Sequence, residues 1–183
     1  MKRELVSIII PVYQSAKYLE RAVLSILAQD YRPIEVLLID DGSEKSVGIL
    51  CDRLAKKYKE VHTYHRAHLG VSAARNYGIC QAKGKYIQFV DADDEVCGNM
   101  TELLVDALQK NHTYMSVCGY EIIGEQKHRE ECIWEKADFI GGVGTDKLYE
   151  IVKNDLLSVI WNKLYIKERI RHTFDESLIL CED

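Results

Sequence analysis

The feature that most limits how this chain can fold is an alternation of two patterns. Short apolar runs rich in Val, Ile and Leu take turns with stretches in which apolar residues recur at helical spacing. Residues 6–10, VSIII, read as a buried strand that Pro11 is expected to end. Leu19, Ala22, Val23, Ile26 and Leu27 then mark a helix, with Ser15 as its candidate N-cap. Residues 35–39 form a second strand, Leu50, Leu54 and Tyr58 mark a second helix, and residues 61–65 form a third strand. Residues 72–83 read as a helix with a small-residue face of Ala73, Ala74, Gly78 and Ala82, stopped by Gly84. Residues 85–90 give another strand, and Asn99 and Glu102 stand at capping-box spacing before a stripe of Met100, Leu103, Leu104, Ala107 and Leu108. Residues 115–123 read as a strand. Beyond 124 the pattern loosens, with a helix expected over 145–154 and an apolar stretch running into a helix in SVIWNKLYIKERI. Strands that are apolar on both faces need cover on both faces. The fold class is therefore α/β, with a mainly parallel central sheet between helices.

One domain of 183 residues accommodates this pattern, and the two prolines and the absence of a Ser- or Gly-rich tract leave no linker. A net charge of −5 excludes broad nucleic-acid binding, which needs a basic surface. The apolar run 6–12 is short and interrupted by Ser7 and Pro11, which fits neither a membrane span nor a signal peptide. Cys51, Cys80, Cys97, Cys118, Cys132 and Cys181 form no C-x-x-C pair. They are expected to be reduced, buried thiols of an intracellular protein. The ending at Glu182-Asp183, without a polar tail, suggests a cut inside a larger protein.

In parallel sheets ligands sit beyond the carboxyl ends of the strands. Three polar clusters fall at such ends here: Tyr13-Gln14-Ser15, Asp40-Asp41-Gly42-Ser43, and the run Asp91, Asp93, Asp94, Glu95. Carboxylates this close repel one another unless a cation joins them. An oxygen-only donor set suits magnesium or manganese better than zinc; the alternative is a solvated turn. Asp40-Asp41-Gly42-Ser43 is either a β-turn or a carboxylate that accepts a base N–H or a ribose hydroxyl. In Gly70-Val71-Ser72-Ala73-Ala74-Arg75-Asn76, Gly70 can open a helix N-terminus towards phosphate, and Arg75 can pair with phosphate or with an acid. No G-x-G-x-x-G follows the first strand, which disfavours a dinucleotide-binding domain. PVYQSAKYLE lacks the basic Gly-rich loop expected of a nucleotidyltransferase.

Taken together, VSIIIPVYQ, VLLIDDGS, GVSAARNYGI, GKYIQFVDADDEV, WNKLYIKERI and the final ED resemble the family-2 glycosyltransferases in order and rough spacing. That family has the GT-A fold and uses nucleotide-diphosphate sugars. The resemblance implies a single GT-A domain over 1–183, truncated on its acceptor side. Residues 1–95 would be the nucleotide-sugar-binding half and 96–183 the start of the acceptor half. Pro11, Val12 and Tyr13 would line the nucleotide pocket. Asp41 would bind the base, most simply a uracil N–H, with Asp40 as its supporting neighbour. Gly70 and Arg75 would complete the nucleotide-sugar site. Asp91-Ala92-Asp93 would be the D-x-D motif, with Asp93 on the metal, Asp91 towards the ribose and Asp94 sharing either task. Asp183 would be the general base.

The implied reaction is metal-assisted transfer of a sugar from a UDP-sugar to an acceptor hydroxyl, with inversion. The setting would be polysaccharide or cell-envelope glycan synthesis, with Mn2+ or Mg2+ as cofactor and a glycan or lipid-linked acceptor. The resemblance further implies a cytoplasmic location, compatible with peripheral association at the inner face of a membrane. A nucleotide-sugar-binding but inactive module is the other outcome it allows. Two positions depart from the family pattern: Gln14 stands where Asn is usual after PVY, and His68 where Asn often precedes the Gly of GVSAARN.

Overall fold

The computed structural model describes residues 3–123, 129–132 and 158–178. Its chain order is β1 (Val6–Val12), α1 (Leu19–Leu27), β2 (Ile34–Asp41), α2 (Lys45–Lys57), β3 (Val61–Arg66), α3 (Val71–Gln81), β4 (Tyr86–Phe89), α4 (Met100–Lys110), β5 (Met115–Val117), β6 (Tyr120–Ile123), β7 (Arg129–Cys132) and β8 (Lys163–Ile166). Six strands form one sheet in the order β3-β2-β1-β4-β8-β5, while β6 and β7 pair separately. The pairs β1–β2, β1–β4 and β2–β3 are parallel. Strand β8 runs antiparallel to both its neighbours, so it alone opposes the other five. This is the mainly parallel α/β sheet that the alternation demands.

The two faces separate residue by residue, because side chains along a strand alternate. Ile8, Ile10 and Val12 of β1 join Val36 and Leu38 of β2 in one core. Leu19, Val23 and Ile26 of α1, Val47, Cys51 and Leu54 of α2, and Leu104, Val105 and Leu108 of α4 cover that face. Ile9, Leu37, Ile39, Ile87 and Phe89 project the other way, against Ala74 of α3, Ala82 and Ile160. Burying each such Ile or Leu stabilises the fold by roughly 1.5–3 kcal/mol. The small-residue face of α3 has a direct cause: a Cβ at Gly78 would lie 2.4 Å from Ile9 Cγ2. Only a bare backbone lets α3 approach β1 this closely.

Several local expectations change. Pro11 does not end β1, which continues to Val12, with Pro11 opposite Ile39. Val90 N–H donates to the Ile9 carbonyl, so the N–H that Pro11 lacks would also face β4, past the last bond of that ladder. Ser15 is not the N-cap of α1. Tyr18 is, and the Ser15 carbonyl accepts the Tyr18 and Leu19 N–H groups instead. Asn99 makes no side-chain capping bond, and Glu102 pairs with Arg3. Gly84 is not a left-handed helix stop. Its own N–H meets Ser7 Oγ at 2.8 Å, and a Cβ there would stand 2.7 Å from the Leu5 carbonyl. The expected strand over 115–123 is broken in two, β5 in the main sheet and β6 in the hairpin.

The expected helix in SVIWNKLYIKERI is strand β8 followed by a one-turn 3-10 helix, Lys167–Arg169. Among Cys51, Cys80, Cys97 and Cys118, Cys80 and Cys97 are exposed, contrary to the buried expectation. The helix expected over 145–154 lies outside the described residues, as do Cys181 and Asp183. Among the described residues, no helix is long and apolar enough to cross a membrane.

Candidate active site

Strands β1, β2 and β4 are neighbours, so their carboxyl ends share one rim of the sheet. That places Tyr13, Asp40, Asp41 and Asp91 on one side of the molecule, although they are up to 78 positions apart in the chain. Ser43 ties the first two strand ends together. Its N–H donates to Asp40 Oδ1 at 3.0 Å, its hydroxyl to the Val12 carbonyl at 3.4 Å, and its Oγ accepts the Gln14 N–H at 3.2 Å. Gln14 has a φ of 53°, a left-handed conformation that a long side chain adopts at a cost of about 1 kcal/mol. The strained turn lifts Tyr13 outward, leaving it half exposed.

The two acids of the β2 end have separate jobs. Asp40 is buried, and its Oδ2 lies 2.7 Å from His65 Nδ1. The other ring nitrogen, Nε2, lies 3.1 Å from Asp52. Burial pushes the Asp40 carboxyl up, but the hydrogen bonds from His65 and Ser43 outweigh it and hold the group below its usual range. The same two carboxylates, Asp40 first and Asp52 second, raise His65. Asp41 is also buried, and its carboxylate clamps the loop before α3. Leu69 N–H donates to Oδ1 at 3.0 Å and Gly70 N–H to Oδ2 at 2.8 Å. Gly70 has a φ of 97° and a Cβ there would meet nothing within 4 Å, so its backbone angle, not space, calls for glycine.

Helix α3 then reaches the acids beyond β4. The Arg75 side chain is 4% exposed, and its Nη2 lies 3.3 Å from Asp91 Oδ1. Of the two partners open in the sequence, phosphate or acid, the acid is found here: Asp91 holds one edge of the guanidinium. Ala92 is buried, Asp93 exposed and Asp94 half-buried. Burial raises the Asp94 carboxyl to about 6, and Asp91 and then Asp93 add to the rise by repulsion. Glu95 leaves the group, being held by Arg21 Nε at 2.7 Å.

The donor chemistry here fits a hard divalent cation. Asp91, Asp93 and Asp94 offer only oxygen, and Asp91 and Asp93 add their repulsion to the burial that raises Asp94. Among the described residues, no three His, Cys, Asp or Glu side chains converge as a closed metal-holding group. A cation bound at this rim would therefore draw part of its coordination from a ligand.

An apolar groove of about 510 Å³ lies elsewhere, lined by Phe89, Tyr165, Ile170, Phe174 and Leu178 among others. None of the rim acids lines it. The chemistry of its side chains marks the rim. His65, Ser43 and His68 are the rim contacts that motif reading did not assign. Asp40 and His65 face each other only through the β2–β3 register, which no local spacing reveals.

The chain belongs to glycosyl transferase family 2, whose model matches residues 7–178. It is similar to glycosyltransferase GlyG of Streptococcus pneumoniae, with 40% identity over 118 residues covering 64% of this chain and 39% of that protein. It is also similar to the uncharacterized glycosyltransferase EpsJ of Bacillus subtilis, with 30% identity covering 98% of this chain and 54% of that one. This chain thus spans roughly half the length of these relatives or less. TarS from S. aureus, solved in complex with UDP, shares the fold with a TM-score of 0.75 at 19% identity, covering 97% of this chain and 52% of TarS. The mannosyltransferase PcManGT of Pyrobaculum calidifontis, solved with GDP-Man and Mn2+, has a TM-score of 0.69 at 17% identity, covering 97% and 49%. The sheet is therefore a GT-A sheet.

Proposed function

We propose that the chain binds a nucleoside-diphosphate sugar, most simply a UDP-sugar, at the rim of β1, β2 and β4. It then passes the sugar, with inversion, to the hydroxyl of a glycan or lipid-linked acceptor. The observation that carries this reading is the way α3 joins the two acidic ends. The loop that leads into it, ending at its N-cap Gly70, is clamped by Asp41, and Arg75, one turn on, holds Asp91. A base accepted by Asp41 and a diphosphate near Asp93 would then lie along one edge of the sheet. The complexes of TarS with UDP and of PcManGT with GDP-Man and Mn2+ support the ligand class.

Pro11, Val12 and Tyr13 would line the base and ribose. Asp41, whose oxygens accept the Leu69 and Gly70 N–H groups and whose Oδ2 also lies 2.8 Å from His68 Nδ1, has lone pairs to offer a base N–H. Asp40, fixed by His65 and Ser43, would keep the β2 end in place. Asp91, held by Arg75, would face the ribose. Asp93 and Asp94 would hold Mn2+ or Mg2+. Such a cation supplies positive charge beside the departing diphosphate, worth several kcal/mol. The donor half would comprise residues 1–95, and 96–183 would begin the acceptor half. Asp183 would take the proton from the attacking hydroxyl, a role that typically contributes about 10²–10⁴-fold. The enzyme would work in the cytoplasm, at a membrane face where its acceptor is lipid-linked, in making a polysaccharide or envelope glycan.

A thermal-shift screen of UDP, GDP, CDP and ADP, each with and without manganese, tests the reading. A manganese-dependent rise in Tm with a diphosphate supports it. No response to any of the four counts against it.

A further inference from the structure

The loop that Asp41 clamps also carries a ring into the site. The imidazole of His68 is stacked on Tyr13, with ring centroids 4.2 Å apart and planes 18° from parallel. Its Nδ1 lies 2.8 Å from Asp41 Oδ2 and 3.0 Å from the Asp41 carbonyl oxygen. Both partners are acceptors, so Nδ1 carries the proton and donates. A flat nitrogen heterocycle thus lies on Tyr13, its Nδ1–H hydrogen-bonded to the Asp41 carbonyl and 2.8 Å from the Asp41 carboxylate. These are the two contacts that the proposed function gives to the nucleobase.

The surroundings fix the loop and free the ring. Gly42, with a φ of 72°, lies under the His68 backbone so closely that a Cβ would stand 2.6 Å from His68 N. The next two N–H groups are held by Asp41. The His68 side chain, in contrast, is 54% exposed and can swing into solvent without moving that backbone.

We propose that His68 is a placeholder in the nucleobase seat and sets the base affinity of this chain. The inference rests on the nucleotide reading of Tyr13 and Asp41. A base enters by displacing the imidazole from the Tyr13 face and replacing Nδ1–H on Asp41 with an N–H of its own. Uracil and guanine can do this through their imide or lactam N–H. Cytosine and adenine present an acceptor at the corresponding ring nitrogen and can offer Asp41 only an exocyclic amino N–H. Removing the ring removes the competitor.

The test is calorimetric titration of UDP and GDP, in manganese buffer, into the full chain and its His68→Ala and His68→Asn variants. Inorganic pyrophosphate serves as a ligand without a base. With the stacked competitor gone, both variants should bind the preferred nucleotide about 2–12-fold more tightly. Pyrophosphate affinity should stay the same, which a general loosening of the loop would not produce. Equal or weaker nucleotide binding by the variants, with the parent still binding, overturns the placeholder role and leaves the nucleotide reading standing. A parallel change for pyrophosphate also overturns it. Failure of all three proteins to bind either nucleotide removes the nucleotide reading and the placeholder together. His68→Asn keeps a polar side chain that can still reach Asp41, so the comparison survives if the Ala variant misfolds.

Discussion

At the residue scale the site is built from acids under different constraints. Asp40 and Asp41 are satisfied: one by His65 and Ser43, the other by two backbone N–H groups. Asp94 is not, and its carboxyl sits at about 6 because burial and then Asp91 and Asp93 disfavour its charge. A raised carboxyl keeps its proton longer in the folded chain than in the unfolded one. Folding stability therefore falls as pH climbs from about 4 through 6. In chelator-treated buffer, Asp94→Asn should be more stable than the parent by about 1–2 kcal/mol at pH 7.5, allowing for solvent screening of a half-exposed group. At pH 4 the difference should vanish. Urea unfolding at the two pH values measures it, and an equal difference at both would remove charge as the cause. The sequence shows this cluster openly, because acids after an apolar strand have few structural reasons to gather. It does not show that Asp94 is the uneasy member, or that His65 steadies Asp40. Burial and cross-strand register decide both, and neither is a local property.

At the element scale, α3 sets the geometry of the site, because its N-terminus is clamped by Asp41 and its Arg75 holds Asp91. Its position depends on Gly78 lying against Ile9 of β1. Gly78→Ala would place a methyl 2.4 Å from Ile9 Cγ2 and force the helix outward. The gain in helix propensity does not offset an overpacked interface. The expected cost is about 1–3 kcal/mol in urea unfolding, accompanied by weaker nucleotide binding. Unchanged stability would mean that α3 is free to shift. The small-residue face was legible because Ala73, Ala74, Gly78 and Ala82 repeat at helical spacing. The β8 segment was not, since KLYI is too short to separate strand from helix by period. Its pairing between β4 and β5, far away in the chain, decides it. The Asn99 and Glu102 spacing misled for a related reason: Glu102 had a distant partner, Arg3, that spacing cannot disclose.

At the scale of the whole molecule, the mainly parallel sheet and the acidic rim at its strand ends follow from the order of strands and helices, which the alternation dictates. Family membership adds the class of chemistry. The relatives extend beyond the part of their length that this chain matches. Catalysis at Asp183 should separate from binding. In a chain extended to the relatives' length, Asp183→Asn should leave donor affinity unchanged and lower transfer by about 10²-fold or more, read by release of nucleoside diphosphate. Surviving transfer would assign the proton to another group.

The central claim is that the rim beyond β4 and the clamp beyond β2 form one nucleoside-diphosphate site. Calorimetric titration of UDP or GDP with and without manganese, on the parent chain and on Asp93→Ala, tests it directly. The account predicts manganese-dependent binding by the parent, and loss of that dependence together with at least about tenfold in affinity in the variant. Equal affinity in parent and variant, with manganese making no difference to either, would contradict it.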